Sequence, residues 1–303
     1  MSRPSWLRAQ AIFGISVVGL LTLARLAACF VDVDPTVPTD LPLLGPSAAH
    51  LLGTDPLGRD LLARMVASTE AFYFPGLAAA ATAILAGVPA GAVVGYWPES
   101  PAAVGLRALL TMVDAWPRLV LVVVAVAIFT ASVHDPAAWA DTRLYVLGLL
   151  VGLSWLPAVA GAVAEKVLHF RREHFVEAAR AHGITDAAIL GYHILWANCR
   201  DLVLRQACTV FGAFLLVETS LSYLGHYGVP APRPSWGNIL ADLRFAVVRS
   251  RGLMSDQAGW FDSLRVAVND GALLGVVAPT LAIALSMGGV LALAEHFGRR
   301  EAR

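Results

Sequence analysis

Long apolar blocks separated by short polar stretches dominate this chain. They cover residues 11–31, 71–97, 119–131, 144–164, 202–225 and 271–294. A helix needs about 20 consecutive apolar residues to cross a bilayer core. All but the third block reach that length, and the third is preceded by an amphipathic approach over 98–118. The pattern predicts an all-α integral membrane protein with six transmembrane helices. The first block is too long for a signal peptide and no Ala-x-Ala cleavage pattern follows it clearly, so it reads as a retained helix. Arg25 inside it snorkels or faces protein.

The polar stretches carry the local signals. Residues 32–70 are acidic and Pro-rich and end in a patch containing Gly53-Thr54-Asp55-Pro56-Leu57-Gly58-Arg59-Asp60. Asp55 before Pro56 predicts a helix start, an acidic cap with Pro at the first helical position. Asp55 with Arg59 and Asp60 with Arg64 are acid-before-base pairs at i,i+4. Leu57, Leu61, Leu62, Met65 and Val66 form the apolar stripe of an amphipathic helix lying on the membrane. Gly87, Gly91 and Gly95 fall at successive i+4 positions, so one helix face is bare and another helix can approach it backbone to backbone.

The densest patch of charge and histidine is 173–198. Glu177-Ala178-Ala179 favours a helix, Gly183 can end it in the left-handed conformation, and Thr185 or Asp186 can cap a second short helix running toward Leu195. The product is an elbow projecting from the membrane, with the small Ala178-Ala179 pair open to close approach. The surrounding loop 166–205 holds Lys166, Arg171, Arg172, Arg180, Arg200 and Arg205. That is the largest cationic excess on any short loop, which puts it in the cytoplasm. Six spans return the C-terminus to the starting side, so both termini are expected there too.

Composition agrees and excludes several classes. Of 303 residues, 57% are hydrophobic and 15% charged, with formal net charge zero and mean hydropathy +0.67. Soluble domains carry about 25% charge. A zero net charge gives no basic field for nucleic acid. Cys29, Cys199 and Cys208 lie in or beside apolar segments and read as buried apolar residues. Lys166 is the only lysine and stands between Glu165 and Val167, so the Gly-Lys-Ser/Thr of a phosphate-binding loop is absent. If ATP powers this protein, another polypeptide binds it. His169, His174, His182 and His193 lack the i,i+4 spacing of a helical zinc pair and read as surface or interface histidines.

These motifs together resemble the permease subunits of bacterial ABC importers. Glu177-Ala178-Ala179, Gly183 and Ile194-Leu195 resemble the EAA loop that docks in a groove on an ATPase subunit. Where that family usually has Leu-Pro-Asn, this chain has Leu195-Trp196-Ala197-Asn198. Gly53, Thr54, Asp55, Gly58, Arg59 and Asp60 resemble the signature of one of the two permeases in dipeptide, oligopeptide and nickel importers. Gly95-Tyr96, Asp114 with Pro117, and Glu218 through Gly225, with Tyr223 in place of the family Phe, followed by Ser235-Trp236-Gly237-Asn238, also resemble the family. The resemblance implies a type I ABC importer permease fold, with an N-terminal unit 1–70 and a permease core 71–303. It also implies a bacterial inner-membrane location, a second homologous permease, two cytoplasmic ATPases carrying ATP and Mg, and an external solute-binding protein. The chain itself would bind no cofactor and catalyse nothing. Residues 244–269 depart from the family as an insertion, its length more typical of a functional or disordered external loop.

Glu218 has two readings. A carboxylate within a membrane helix faces protein or a water-filled cavity, so Glu218, with Ser222 and Trp236, either lines the translocation path or accepts hydrogen bonds from neighbouring helices. Asp114 pairs with Arg118 or Arg107. A membrane-embedded hydrolase or a secondary transporter using Glu218 and Asp114 is the alternative function, but no G-x-S-x-G, H-E-x-x-H or internal inverted repeat supports it.

Overall fold

The computed structural model describes residues 5–28, 30, 34–132, 140–225, 228–229, 232–242 and 272–301. Its elements are α1 (Ser5–Ala27), α2 (Leu61–Ala67), α3 (Thr69–Tyr96), α4 (Pro101–Asp114), α5 (Arg118–Ser132), α6 (Ala140–Arg171), α7 (His174–Ala181) and α8 (Asp186–Ala188). A π-helical run Ile189–Trp196 and α9 (Arg200–Leu224) follow. A short helix α10 covers 236–242, and α11 is Ala272–Glu301. Five helices among the described residues are long and apolar enough to cross a membrane. The pair α4–α5, bent by 83°, makes a sixth if it is one broken span. Pro117 sits at that bend, where its ring cannot continue the helix ladder. The expected loop at 133–139 and the insertion 244–269 lie outside the described residues.

Helices α3 and α6 form the centre of the bundle and run parallel, in register. A Cβ on Gly87 would lie 2.8 Å from Val159, one on Gly95 would lie 2.5 Å from the Ala164 carbonyl, and one on Gly91 would meet the Ala160 carbonyl. The arrangement is reciprocal, because Gly148 and Gly152 of α6 sit against the Pro75 and Ala79 carbonyls of α3. Lipid is as apolar as leucine, so helices associate in it through such close van der Waals contact. Missing side chains on both partners let the backbones approach.

The remaining helices fix which groups share an end. Gln10 Nε2 donates to Glu295 Oε2 at 3.2 Å, so α1 and α11 pack antiparallel with their outer termini together. Gly298 lies against the Arg205 side chain at the start of α9. The start of α1, the end of α11 and the elbow therefore occupy one end of the bundle. Residues 34–60 and α10 occupy the other.

The segment before α3 differs from the sequence expectation. Asp55-Pro56 opens a tight turn, and the helix begins only at Leu61 with Asp60 as its cap, accepting from Ala63 N at 2.7 Å. Gly58 has φ +77°, a left-handed conformation that cannot sit inside an α-helix. The expected amphipathic surface helix is thus one short helix, α2. Leu61 is buried within it while Leu57 is exposed. Nor does Asp60 pair with Arg64. Its Oδ2 lies 2.7 Å from His50 Nδ1, and Arg64 points inward.

Candidate functional site

Helix α6 ends at Arg171, and two residues later Glu173, in extended conformation (φ −78°, ψ 145°), starts α7. Helix α7 closes in a Schellman motif, with Gly183 N donating to Arg180 O at 2.9 Å and Ile184 N to Ala179 O at 3.1 Å. Gly183 has φ +78° with open space around it, so what constrains this position is backbone conformation alone. Thr185 then caps α8, accepting from Ala188 N. The chain leaves through the π-helical run, and Cys199 N donates back to Ile194 O at 3.0 Å. Where the family proline would stand, Trp196 continues the helical path and its side chain is exposed.

The elbow has an anchored side and a bare side. Val176, Ile189 and Ile194 are fully buried and hold it to the bundle. Glu177, Ala178 and Gly183 face outward, and the Glu177 side chain is 78% exposed. Phe175 and Ile184 add exposed apolar area beside them. Asp186 takes a different position from the other candidates, because it turns back toward the bundle. Its Oδ1 accepts from the Tyr96 hydroxyl at 2.8 Å and from Arg180 Nε at 2.9 Å. Arg180 also donates to the Tyr96 oxygen at 3.1 Å. These bonds, the Tyr96 hydroxyl first and Arg180 second, hold the Asp186 carboxyl below the usual carboxylate range. Sequence reasoning noted Tyr96 only in the Gly95-Tyr96 end of the glycine face and missed its bond to the elbow.

A buried charge cluster lies at the opposite end. Gly53 and Gly58 both have positive φ, and a Cβ on either would strike a carbonyl oxygen, that of Leu44 or of Asp40. Thr54 Oγ1 donates to Leu41 O at 2.7 Å. This packing folds Asp55 inside. Its Oδ1 accepts from Leu57 N at 2.8 Å and Arg59 N at 3.0 Å, and its Oδ2 accepts from Arg59 Nε at 2.6 Å and from Arg64. Both guanidiniums reach on to Asp242 Oδ2, at 3.0 and 3.1 Å. Asp55, Arg59 and Arg64 are at most 5% exposed, whereas the Asp242 side chain is 38% exposed. The expected Asp55–Arg59 pair is present, but as part of a buried four-residue cluster that ties the 53–60 motif to α10. Asp242 was invisible as a partner, since nothing local in the sequence links it to Arg64.

Glu218 and Ser222 of α9 bond each other beside the start of α10, where Trp236 stands against α2 and α3. Glu218 is completely buried. Its Oε1 accepts from Ser222 Oγ at 2.7 Å, and Ser235 is a further hydroxyl partner. Ser222 Oγ in turn accepts from Val229 N at 2.9 Å. Trp236 Nε1 donates to Met65 O at 3.0 Å, and its ring lies 4.6 Å from that of Phe72. Asp114 stands elsewhere, at the α4–α5 bend, where it pairs with Arg118 at 3.0 Å. The two carboxylates therefore form no joint site. Among the described residues, no three histidine, cysteine, aspartate or glutamate side chains gather as a metal site.

No protein-family profile matches the chain. It is similar to the dipeptide transport system permease protein DppC of Alkalihalophilus pseudofirmus, 31% identical over 202 residues, which are 67% of this chain and 62% of that protein. The match thus spans somewhat less than two thirds of that relative's length. The glutathione transport system permease protein GsiD of Pectobacterium atrosepticum is 27% identical over 237 residues, 78% of this chain and 74% of its own. The di/tripeptide transport system permease protein DppC of Pseudomonas aeruginosa is 28% identical over 213 residues, 70% of this chain and 66% of its own.

Proposed function

The chain is a relative of the permease subunits of dipeptide, di/tripeptide and glutathione transport systems, and on that premise we propose that it is the membrane-spanning pore subunit of an ATP-driven ABC importer for peptides or a related small solute. The observation that carries this reading is the exposed elbow, a rigid helix–turn–helix built directly onto the end of α6. The chain is the non-catalytic partner in the complex. ATP and Mg sit on two cytoplasmic ATPase subunits, a second homologous permease completes the pore, and an external binding protein delivers solute. The elbow and both termini face the cytoplasm, and the 53–60 motif faces outward.

The mechanism follows from how the elbow is attached. When the ATPases close on ATP, they grip the face around Glu177 and Gly183. Glu177 supplies a charged contact, Ala178 and Gly183 supply a shape that admits close approach, and Ala179, half-buried against the core, lets α7 sit close to the bundle. Because α7 follows α6 after a two-residue link and its Val176 is buried in the bundle, while α6 packs backbone to backbone on α3, a displacement of the elbow is passed to both helices. The pore then alternates between inward and outward openings. Glu218 and Ser222 of α9 and Trp236 of α10 hold α10 against α9 and α3.

A mild-detergent pull-down from native membranes tests the assignment, with ATPase activity measured for the wild type and for Glu177→Ala combined with Gly183→Pro. Two ATPase chains and a second permease are expected with the wild type, and the double variant should lose them or their coupled activity. A wild-type protein that purifies alone and works without nucleotide overturns the reading.

A further inference from the structure

The inner side of the elbow carries a contact that docking does not require. We infer that Tyr96 is a positioning residue for coupling: it locks both arms of the elbow to the end of α3, so that a push on α7 is delivered to α3 and α6 as one body. This rests on the reading above that ATPase subunits grip the elbow.

The covalent route from α7 into the bundle is a poor lever. Between Arg171 and His174 the chain has only Arg172 and the extended Glu173, and a two-residue joint between helices lets α7 swing about it. Buried Val176, Ile189 and Ile194 seat the elbow on the bundle by apolar contact, which sets no direction, and Tyr96 adds a directional polar attachment at the end of α3. One hydroxyl donates to Asp186 of α8 and accepts from Arg180 of α7, while Arg180 and Asp186 bond each other across the turn. The three groups close a triangle spanning both arms. The Tyr96 ring cannot follow the elbow away from the bundle, being 1% exposed. It is flanked by the Arg171 and Arg180 guanidiniums at 6.0 and 5.9 Å from its centroid, within cation–π range. The preceding residue, Gly95, is pressed against Ala164 and Val167 of α6. The hydroxyl therefore reports the position of the α3–α6 pair to the elbow, and the reverse.

The test uses the complex purified with its ATPase subunits in nanodiscs. Spin labels go on Leu85 of α3 and His182 of the elbow, both exposed, and distances are measured without nucleotide and after trapping with ATP and vanadate. The wild type is expected to keep a single narrow distance in both states. In Tyr96→Phe, which keeps the ring, the resting distance stays single. Trapping then raises a displaced minor population about tenfold, the factor a lost charge-assisted hydrogen bond supplies. Asp186→Asn should act alike and carries the test if Tyr96→Phe does not fold. The two together should fall short of the sum of the singles, because both act on the Tyr96–Asp186 bond. A purely structural role would broaden the resting state equally; that result, or Tyr96→Phe indistinguishable from wild type after trapping, overturns the inference. If the wild type binds no ATPase subunit, the importer reading fails and the inference with it; distances unchanged on trapping in Tyr96→Phe and Asp186→Asn complexes that do hold ATPases defeat the inference alone.

Discussion

Asp55 is the position whose loss should cost this fold most at the end of the bundle away from the elbow. Its carboxylate accepts from two backbone N–H groups and two guanidiniums, in a site it shares with Arg59 and Arg64. In Asp55→Ala, the carboxylate left to two neighbouring buried cations among the described residues is Asp242, which is 38% exposed at its side chain. Removing one partner of a buried charge group costs about 3–5 kcal/mol, chiefly through the charges left uncompensated. Asp242→Ala leaves Asp55 in place and lets water reach the guanidiniums from the exposed side, so its cost should stay near ~1 kcal/mol. A third variant, Asp55→Leu with Arg59→Met and Arg64→Met, removes every buried charge. It should recover most of the loss, since apolar groups of similar volume replace buried ion clusters at little net cost. Denaturant unfolding in detergent, followed by tryptophan fluorescence, reads all three because Trp236 lies in the same packing. Equal, small effects for Asp55→Ala and Asp242→Ala would mean that the cluster is hydrated and would refute the reasoning.

Two further outcomes follow from the packing and the charges. Gly91→Leu should abolish assembly of the membrane bundle, because its Cβ would meet the Ala160 carbonyl, whereas Gly105→Ala, with open space around it, should express and migrate as the wild type in detergent size-exclusion chromatography. Asp186 has its pKa lowered from the ordinary 3.8, so its contribution to elbow closure is present above that value and is lost only as pH falls through the lower folded value. Limited proteolysis at Arg180 should accordingly show no Asp186-dependent step between about pH 5 and 8 and a rise in cutting in more acid solution; an acid step that persists in Asp186→Asn contradicts this assignment.

Much of the outer architecture could be read from local pattern. The six apolar blocks match α1, α3, α5, α6, α9 and α11 to within a few residues at most ends, because the bilayer demands long uncharged helices whatever their neighbours do. The elbow was equally legible, since a cap such as Thr185 and a left-handed Gly183 act through bonds three to five residues away. The bare glycine face announced close packing, though not its partner. The reading of 55–66 as one amphipathic helix failed on a single dihedral sign: i,i+4 spacing suits both a helix and the turn that Gly58 makes, and only the carbonyl of Asp40 above Gly58 separates them.

Which block-ends meet was decided by the tertiary structure. Arg64 finds Asp242 across 178 positions and Tyr96 finds Asp186 across 90, and both pairings depend on where rigid helices place their ends. Glu218 is enclosed in the same way: Ser222 of its own helix and Ser235 from beyond the end of α9 are its hydroxyl partners, and it has no exposed surface. A helix, a cap or a turn is set by neighbours along the chain, within reach of a few bond rotations. The partner of a buried charge is set by the docking of whole helices, which depends on every contact along their faces and is written in no single stretch of sequence.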